Sequence, residues 1–229
     1  MTDLITLQGK QVNLQLGKET INGILLDAGK DIVVIFNGQR YIYIPLLHVH
    51  HFQLNSNKDD YVDSPSESSA FAKMDLLNVK EVLNKSKAVF TEIYVGKDLS
   101  YYGYITNVYN DYVAFYSPIY KLIFISIDHI KWLVPFNENS SPYTLNNMNL
   151  SLGKSHVHLR VSPTNFPLLP NLEDQLKKEA GKLVIFDGGK DPKKVGLLKK
   201  IENNLAEIIL AKGENICLRL SHIKSIQIP

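Results

Sequence analysis

Ser221-His222-Ile223-Lys224-Ser225-Ile226, close to the C-terminus, has two earlier counterparts: Leu47-His48-Val49-His50-His51-Phe52 and Asp128-His129-Ile130-Lys131-Trp132-Leu133. Each copy runs through a variable residue, a histidine, a β-branched residue, a lysine or histidine, a second variable residue and a large apolar one. β-Branched and bulky apolar residues two or three apart suit a short strand entered from a tight corner. The phrase reads as the closing strand of a unit present three times.

Ahead of each closing phrase the same order of elements recurs. In the first copy, residues 12–16 alternate apolar and polar, as a half-buried strand does. Gly17-Lys18-Glu19 is a turn, and residues 21–26 form a second strand with Gly23 inside it, the mark of a bulge or sharp bend. After Asp27-Ala28-Gly29-Lys30, the stretch Ile32-Val33-Val34-Ile35-Phe36 is a fully apolar third strand. Asn37-Gly38 predicts a hairpin with both residues at positive φ, leading to a fourth strand at residues 41–46 and a fifth at 49–54. The corresponding strands fall at residues 89–95, 102–105, 112–115, 122–127 and 130–134 in the second copy. In the third they fall at 183–186, 195–198, 205–210, 216–220 and 223–228.

The spacing holds this order in register. From the bend glycine to the start of strand three is nine residues in every copy: Gly23 to Ile32, Gly103 to Tyr112 and Gly196 to Leu205. A turn-forming residue precedes each strand start: Asp31, Asp111 and Asn204. Two copies have a helical lead-in. Asn171 is a good N-cap, Glu173 and Asp174 lie in the first turn, and Gly181 sits where a helix ends. Residues 75–87 carry Leu76, Val79 and Leu83 on one face. The expected fold is mainly β: three tandem, small, five-stranded bent-sheet units, two of them with an N-terminal helix. The expected boundaries are 1–56 and 73–136 for the first two repeats and 171–229 for the third. An acidic, flexible linker is expected at 57–72. A second connector is expected at 137–170, with a possible hairpin about Gly153-Lys154.

Bulk properties exclude several classes. A chain of 229 residues with 45% hydrophobic and 21% charged residues is ordinary for a globular protein. A formal charge of +2 argues for neither nucleic acid nor an anionic membrane. The single cysteine, Cys217, excludes an internal disulfide and any Cys-rich zinc site. The N-terminal MTDLITLQGK has no basic stretch followed by an apolar one, so no signal peptide is expected. No apolar run reaches the length of a membrane span.

A five-stranded, strongly bent antiparallel unit with an optional N-terminal helix resembles the Sm-like barrel, and the resemblance implies three such barrels in tandem. More closely, the chain resembles the repeats of the spore coat protein B family of spore-forming bacilli. The resemblance rests on Gly188-Gly189-Lys190-Asp191 through Lys194-Val195-Gly196-Leu197, on residues 216–220, and on Ser221-His222-Ile223-Lys224-Ser225-Ile226. The second copy matches through Gly103 and Ile127-Asp128-His129-Ile130-Lys131, and the first most loosely, with His50 and His51 in place of lysine and serine. It covers all three units and neither connector. The long Ser/Lys/Arg-rich tail of that family's best-known member has no counterpart after Pro229, so tail-dependent properties such as phosphorylation are not carried over. The resemblance implies a structural protein made in the mother-cell cytoplasm and assembled on the forespore surface, with other spore coat proteins as partners.

Candidate chemistry is sparse. His48, His129 and His222 recur once per unit at a strand corner, which suits a hydrogen bond to a local carbonyl better than catalysis. His48/His50 and His156/His158 share i, i+2 spacing, and in a strand each pair would face one side, as Zn²⁺ or Cu²⁺ ligands do. No carboxylate or cysteine spacing completes a ligand set, so no metal or cofactor is expected. Lys177-Lys178, Lys193-Lys194 and Lys199-Lys200 make the third unit lysine-dense, yet residues 171–229 hold eleven basic residues against eight acidic ones. An Arg-Gly step on strand four, the Sm-type RNA-binding signature, is absent. Gly188-Gly189-Lys190-Asp191 lacks the Lys-Ser/Thr ending and following helix of a phosphate loop. Eight of the twelve tyrosines fall between Tyr94 and Tyr120, and Tyr101 and Tyr102, being adjacent on one strand, must face opposite sides. No catalytic residue is expected. The expected function is non-catalytic and structural, through edge-strand contacts that include a possible homo-oligomer; the alternative is an Sm-like RNA-binding module.

Overall fold

Alternation in the first strand becomes burial: in β1 (Gln11–Leu16), Val12, Leu14 and Leu16 are buried. In the computed structural model, which describes residues 4–57, 61–66, 71, 77–87, 89–136 and 168–229, the pattern continues through β2 (Glu19–Ala28), β3 (Ile32–Phe36), β4 (Tyr41–Pro45) and β5 (His51–Leu54). The second set is β6 (Phe90–Tyr94), β7 (Ser100–Val108), β8 (Tyr112–Ser117), β9 (Lys121–Ser126) and β10 (Trp132–Pro135). The third is β11 (Leu183–Phe186), β12 (Val195–Glu202), β13 (Leu205–Ile209), β14 (Asn215–Arg219) and β15 (Ser225–Gln227). The fold is mainly β, with two short helices, α1 (Val79–Lys85) and α2 (Leu172–Lys178), placed before the second and third sets. Among the described residues before β1 lies the 3₁₀ turn Leu4–Leu7. The predicted hairpin at residues 148–161 lies outside the described residues.

All named strands belong to one antiparallel sheet in the order β14-β13-β12-β11-β15-β9-β8-β7-β6-β10-β4-β3-β2-β1-β5. Within each set the order is fourth, third, second, first, fifth, so each closing phrase returns to its own first strand. The sets are not insulated from one another: β10 also pairs with β4, and β15 also pairs with β9.

The bend glycines act through close approach. A Cβ on Gly23, Gly103 or Gly196 would collide with the carbonyl oxygen of Phe36, Tyr116 or Ile209, the same place on strand three each time. The bulge follows within a few residues, at the register shifts between Leu25/Asp27, Ile105/Asn107 and Leu198/Lys200. Asn37-Gly38 also differs from expectation. Only Gly38 has positive φ, and the loop to β4 is held by Asn37 Oδ1, which accepts from the N–H groups of Gln39 and Arg40.

Strands three and four bury both faces. Val33, Ile35, Ile42 and Ile44 join β1 and β2 in one apolar cluster, while Ile32, Val34 and Tyr43 join a second cluster with α1 and β6–β10 residues. The second set repeats this: Val113, Phe115, Ile123 and Ile125 point inward, and Tyr112, Ala114 and Phe124 pack with α2 and the third set. The outer faces of strands three and four in the first two units are therefore covered by the unit that follows.

Candidate functional site at the junctions and sheet edges

Both junctions use one register. Tyr43 pairs with Leu133 across β4 and β10, while Phe124 pairs with Ile226 across β9 and β15, and these are equivalent repeat positions. The helices are seated by the residue before strand three. Asp31 Oδ1 accepts from Val79 N–H at 2.8 Å and Asp111 Oδ1 from Leu172 N–H at 2.9 Å, so each carboxylate caps the first residue of the next unit's helix. Beside them, Lys30 N–H donates to Leu77 O and Asn110 N–H to Pro170 O, both at 3.0 Å. Sequence reasoning read Asp31 and Asp111 as turn residues. Their matched spacing to strand three was the available signal for the second role.

Polar side chains then lock each junction differently. At the first, the buried Glu92 carboxylate takes Arg40 at 2.8 Å and the Ser100 hydroxyl at 3.0 Å. Glu19 accepts from Tyr94 OH at 2.6 Å and Lys131 Nζ at 3.0 Å. Burial works to raise the Glu19 pKa, but those two donors outweigh it and hold the carboxyl below its usual range. At the second junction, Tyr101 OH and Ser225 Oγ lie 2.6 Å apart, and burial pushes the Tyr101 phenol up to about 12. Within the third unit, Asp187 Oδ1 accepts from Lys224 N–H at 2.7 Å and Ser225 N–H at 3.2 Å, fixing the start of the strand that the junction uses, and its other oxygen pairs with Lys194. The Gly188-Gly189 stretch is thus the bend that aims Asp187 at the start of β15. None of these residues was singled out as a site from sequence.

The corner histidines reach further than expected. His129 Nε2 lies 3.0 Å from the carbonyl oxygen of Ser221, the residue preceding His222. His48 is half-buried beside the backbone of Asp128, the residue preceding His129. The carbonyl is therefore in the next unit, not local. His222 is exposed. Burial, reinforced by the Lys131 charge, holds the His48 pKa below its ordinary 6.5, against the opposing pull of the Asp128 backbone. The neutral ring is the form the fold prefers. Stability from His48 is thus fully present above the unfolded value of 6.5 and is lost as the pH falls from there through the folded value. Urea midpoints measured between neutral and mildly acidic pH will fall on acidification, and His48→Gln will flatten that slope.

The candidate metal pair is not a strand pair. His48 ends the 3₁₀ turn Leu46–His48, His50 precedes β5, and His156 and His158 lie outside the described residues. Among the described residues no three His, Cys, Asp or Glu side chains gather as a metal site. Several lysines of the third unit face acids: Lys177 meets Glu173 and Asp174, Lys199 meets Glu207 at 2.7 Å, and Lys200 meets Glu202 at 3.0 Å. Tyr101 is 3% and Tyr102 38% exposed, on opposite sides of β7 as their adjacency requires.

The two ends of the sheet differ from its interior. Among the described residues, β14 pairs with β13 alone and β5 with β1 alone. On the outer face of the third unit, Leu205, Glu207 and Cys217 hold the positions of Ile32, Val34 and Tyr43. They line a shallow depression of about 180 Å³ with Lys200, Glu202 and Asn203. Where the other units seat a helix, the third has an open surface on which Leu205, Glu207 and Cys217 meet solvent or its edge.

A family model described as the YwrJ third domain matches residues 171–226, from the residue capping α2 to the middle of β15. Over 211 residues the chain is 42% identical to YwrJ of Bacillus subtilis (strain 168), a match covering 90% of each protein. At that identity and coverage, the chain belongs to the YwrJ family.

Proposed function

We propose that this protein is a non-catalytic structural or assembly component of the bacterial spore coat, made in the mother-cell cytoplasm and working through strand edges and exposed surfaces. The observation that carries the reading is the sheet itself. It grows twice by pairing strand four of one unit with strand five of the next, and among the described residues it leaves β14 and β5 as open edges. An open edge is a template for another strand. The coat assignment rests on the resemblance of all three units to spore coat protein B repeats, and a relative in Bacillus subtilis is in keeping with it. Among the described residues no helix is long and apolar enough to cross a membrane.

A fluorescent fusion followed through sporulation tests the assignment. Signal will appear during sporulation and collect as a shell around the forespore; diffuse signal in vegetative cells defeats the coat reading. The pairing of Lys177, Lys199 and Lys200 with acids weighs against the RNA-binding alternative, because a phosphate-tracking stripe needs free cations. Filter binding to RNA across a salt series will show no steep salt dependence.

A further inference from the structure

Two junctions inside the chain obey one rule. Strand four of a unit pairs antiparallel with strand five of the next, with Tyr43 opposite Leu133 and Phe124 opposite Ile226. The corner histidine of each unit faces the backbone of the residue before the next unit's histidine. Applied a third time, the rule leaves one unmatched half at each end. At one end stand β14, an open edge among the described residues, with Cys217 at the Tyr43 position, and the exposed His222. At the other stand β5, with Phe52 at the Leu133 position, and Leu47, which is 71% exposed where Asp128 and Ser221 face a histidine. These halves are complementary in direction and register. They lie at opposite ends of the strand order.

From this continuity we infer that a second copy of this chain docks head to tail, its β5 adding to β14 with Phe52 opposite Cys217 and His222 directed at the backbone of Leu47. The inference deepens the edge-strand reading above and rests on it. The two ends have also changed together in a second respect. Among the described residues the first unit has the turn Leu4–Leu7 where α1 and α2 precede the others. The third unit has Leu205, Glu207 and Cys217 in place of an apolar helix seat. The intermolecular junction therefore relies on strand pairing without the helix, and it is weaker and more reversible than the internal ones. Being heterologous, it generates a ring if the rotation closes and a filament if it does not.

Cysteine cross-linking in the full-length protein reads both register and direction, because Cys217 is the chain's single cysteine and is exposed. Phe52→Cys, mildly oxidised as a mixture of isotopically labelled and unlabelled chains, will give a disulfide joining position 52 of one chain to Cys217 of another. The mixed-label product will rise with concentration and be lost in Phe52→Cys/Cys217→Ser. Because Phe52 packs into the first core, Gln53→Cys with Ile216→Cys in a Cys217→Ser background probes the neighbouring predicted pair. Links between two Cys217 residues alone, links confined within one chain, or a monomer with no link from either variant at the highest concentration would each overturn the inference. Those failures leave forespore localisation of the fusion untouched, so the coat reading stands or falls on its own measurement.

Discussion

Gly103→Ala will lower the unfolding free energy by about 3 kcal/mol or more, at the upper end of what a single added methyl costs in a packed core. The reason is the identity of the atoms it meets. An added Cβ would fall on the Tyr116 carbonyl oxygen and close to Ser117 Cα, and neither is a side-chain tip able to swing aside. Relief would require β7 and β8 to separate where Tyr104–Val108 runs against Val113–Tyr116 on either side of the bulge. The same collision is built into Gly23 against Phe36 and Gly196 against Ile209. Alanine at either of those sites will therefore also be destabilising by a similar amount. Urea denaturation followed by far-ultraviolet circular dichroism measures all three. A loss below about 0.5 kcal/mol, the level of an indifferent surface change, would show that the strands give way easily and that the repeat keeps glycine there for another reason.

That recurrence explains why so much of the fold is legible in the order of residues. The closing phrase, the bend glycine and the residue before strand three are all local demands, each tied to a fixed number of residues along the chain. Residue type and spacing record such demands directly. The junctions were hidden because they join distant residues: Glu92 with Arg40, Glu19 with Lys131, and Tyr101 with Ser225. Nothing in a run of sequence says which carboxylate will meet which cation across separations of 52 and 112 residues, as the first two of these pairs do. Asp31 and Asp111 sit between these cases. Their place before strand three is visible in the spacing, but the helix end they bind belongs to the following unit. The histidines mislead in a similar way, since recurrence pointed to a structural corner while the partner of His129 lies 92 residues away at Ser221. The two-sided burial of β3, β4, β8 and β9 did leave a trace. Ile32-Val33-Val34-Ile35 and Tyr112-Val113-Ala114-Phe115 are apolar without alternation, as strands covered on both faces are, whereas Leu205-Ala206-Glu207-Ile208 breaks the run with a charge.

That broken run sets the second large effect. Phe124→Ala will cost about 3–5 kcal/mol, the range for deleting a buried aromatic side chain, and Cys217→Ala at the equivalent position will change stability by less than about 0.5 kcal/mol. Phe124 is 1% exposed and meets Tyr112 edge to face, with centroids 5.5 Å apart. Its cluster contains Leu172 and Leu176 of α2 and Ile226 of β15, so most of what buries it belongs to the third unit. Cys217 stands on the same strand of its unit at the same register, but among the described residues it is exposed. Strand position is held constant between the two variants, while the side chain removed and the presence of a neighbouring unit both differ. Denaturation of the Phe124→Ala protein will also show whether the third unit is still held by the second. With the shared core breached, the single transition expected of mutually completed cores will split or broaden, and the third unit will melt first. Equal and small losses for both variants would mean that each unit stabilises itself and that the shared clusters are only contact surfaces. A large loss at Phe124 alone would mean that stability in this chain is carried across the junctions, the same surfaces through which the sheet is extended.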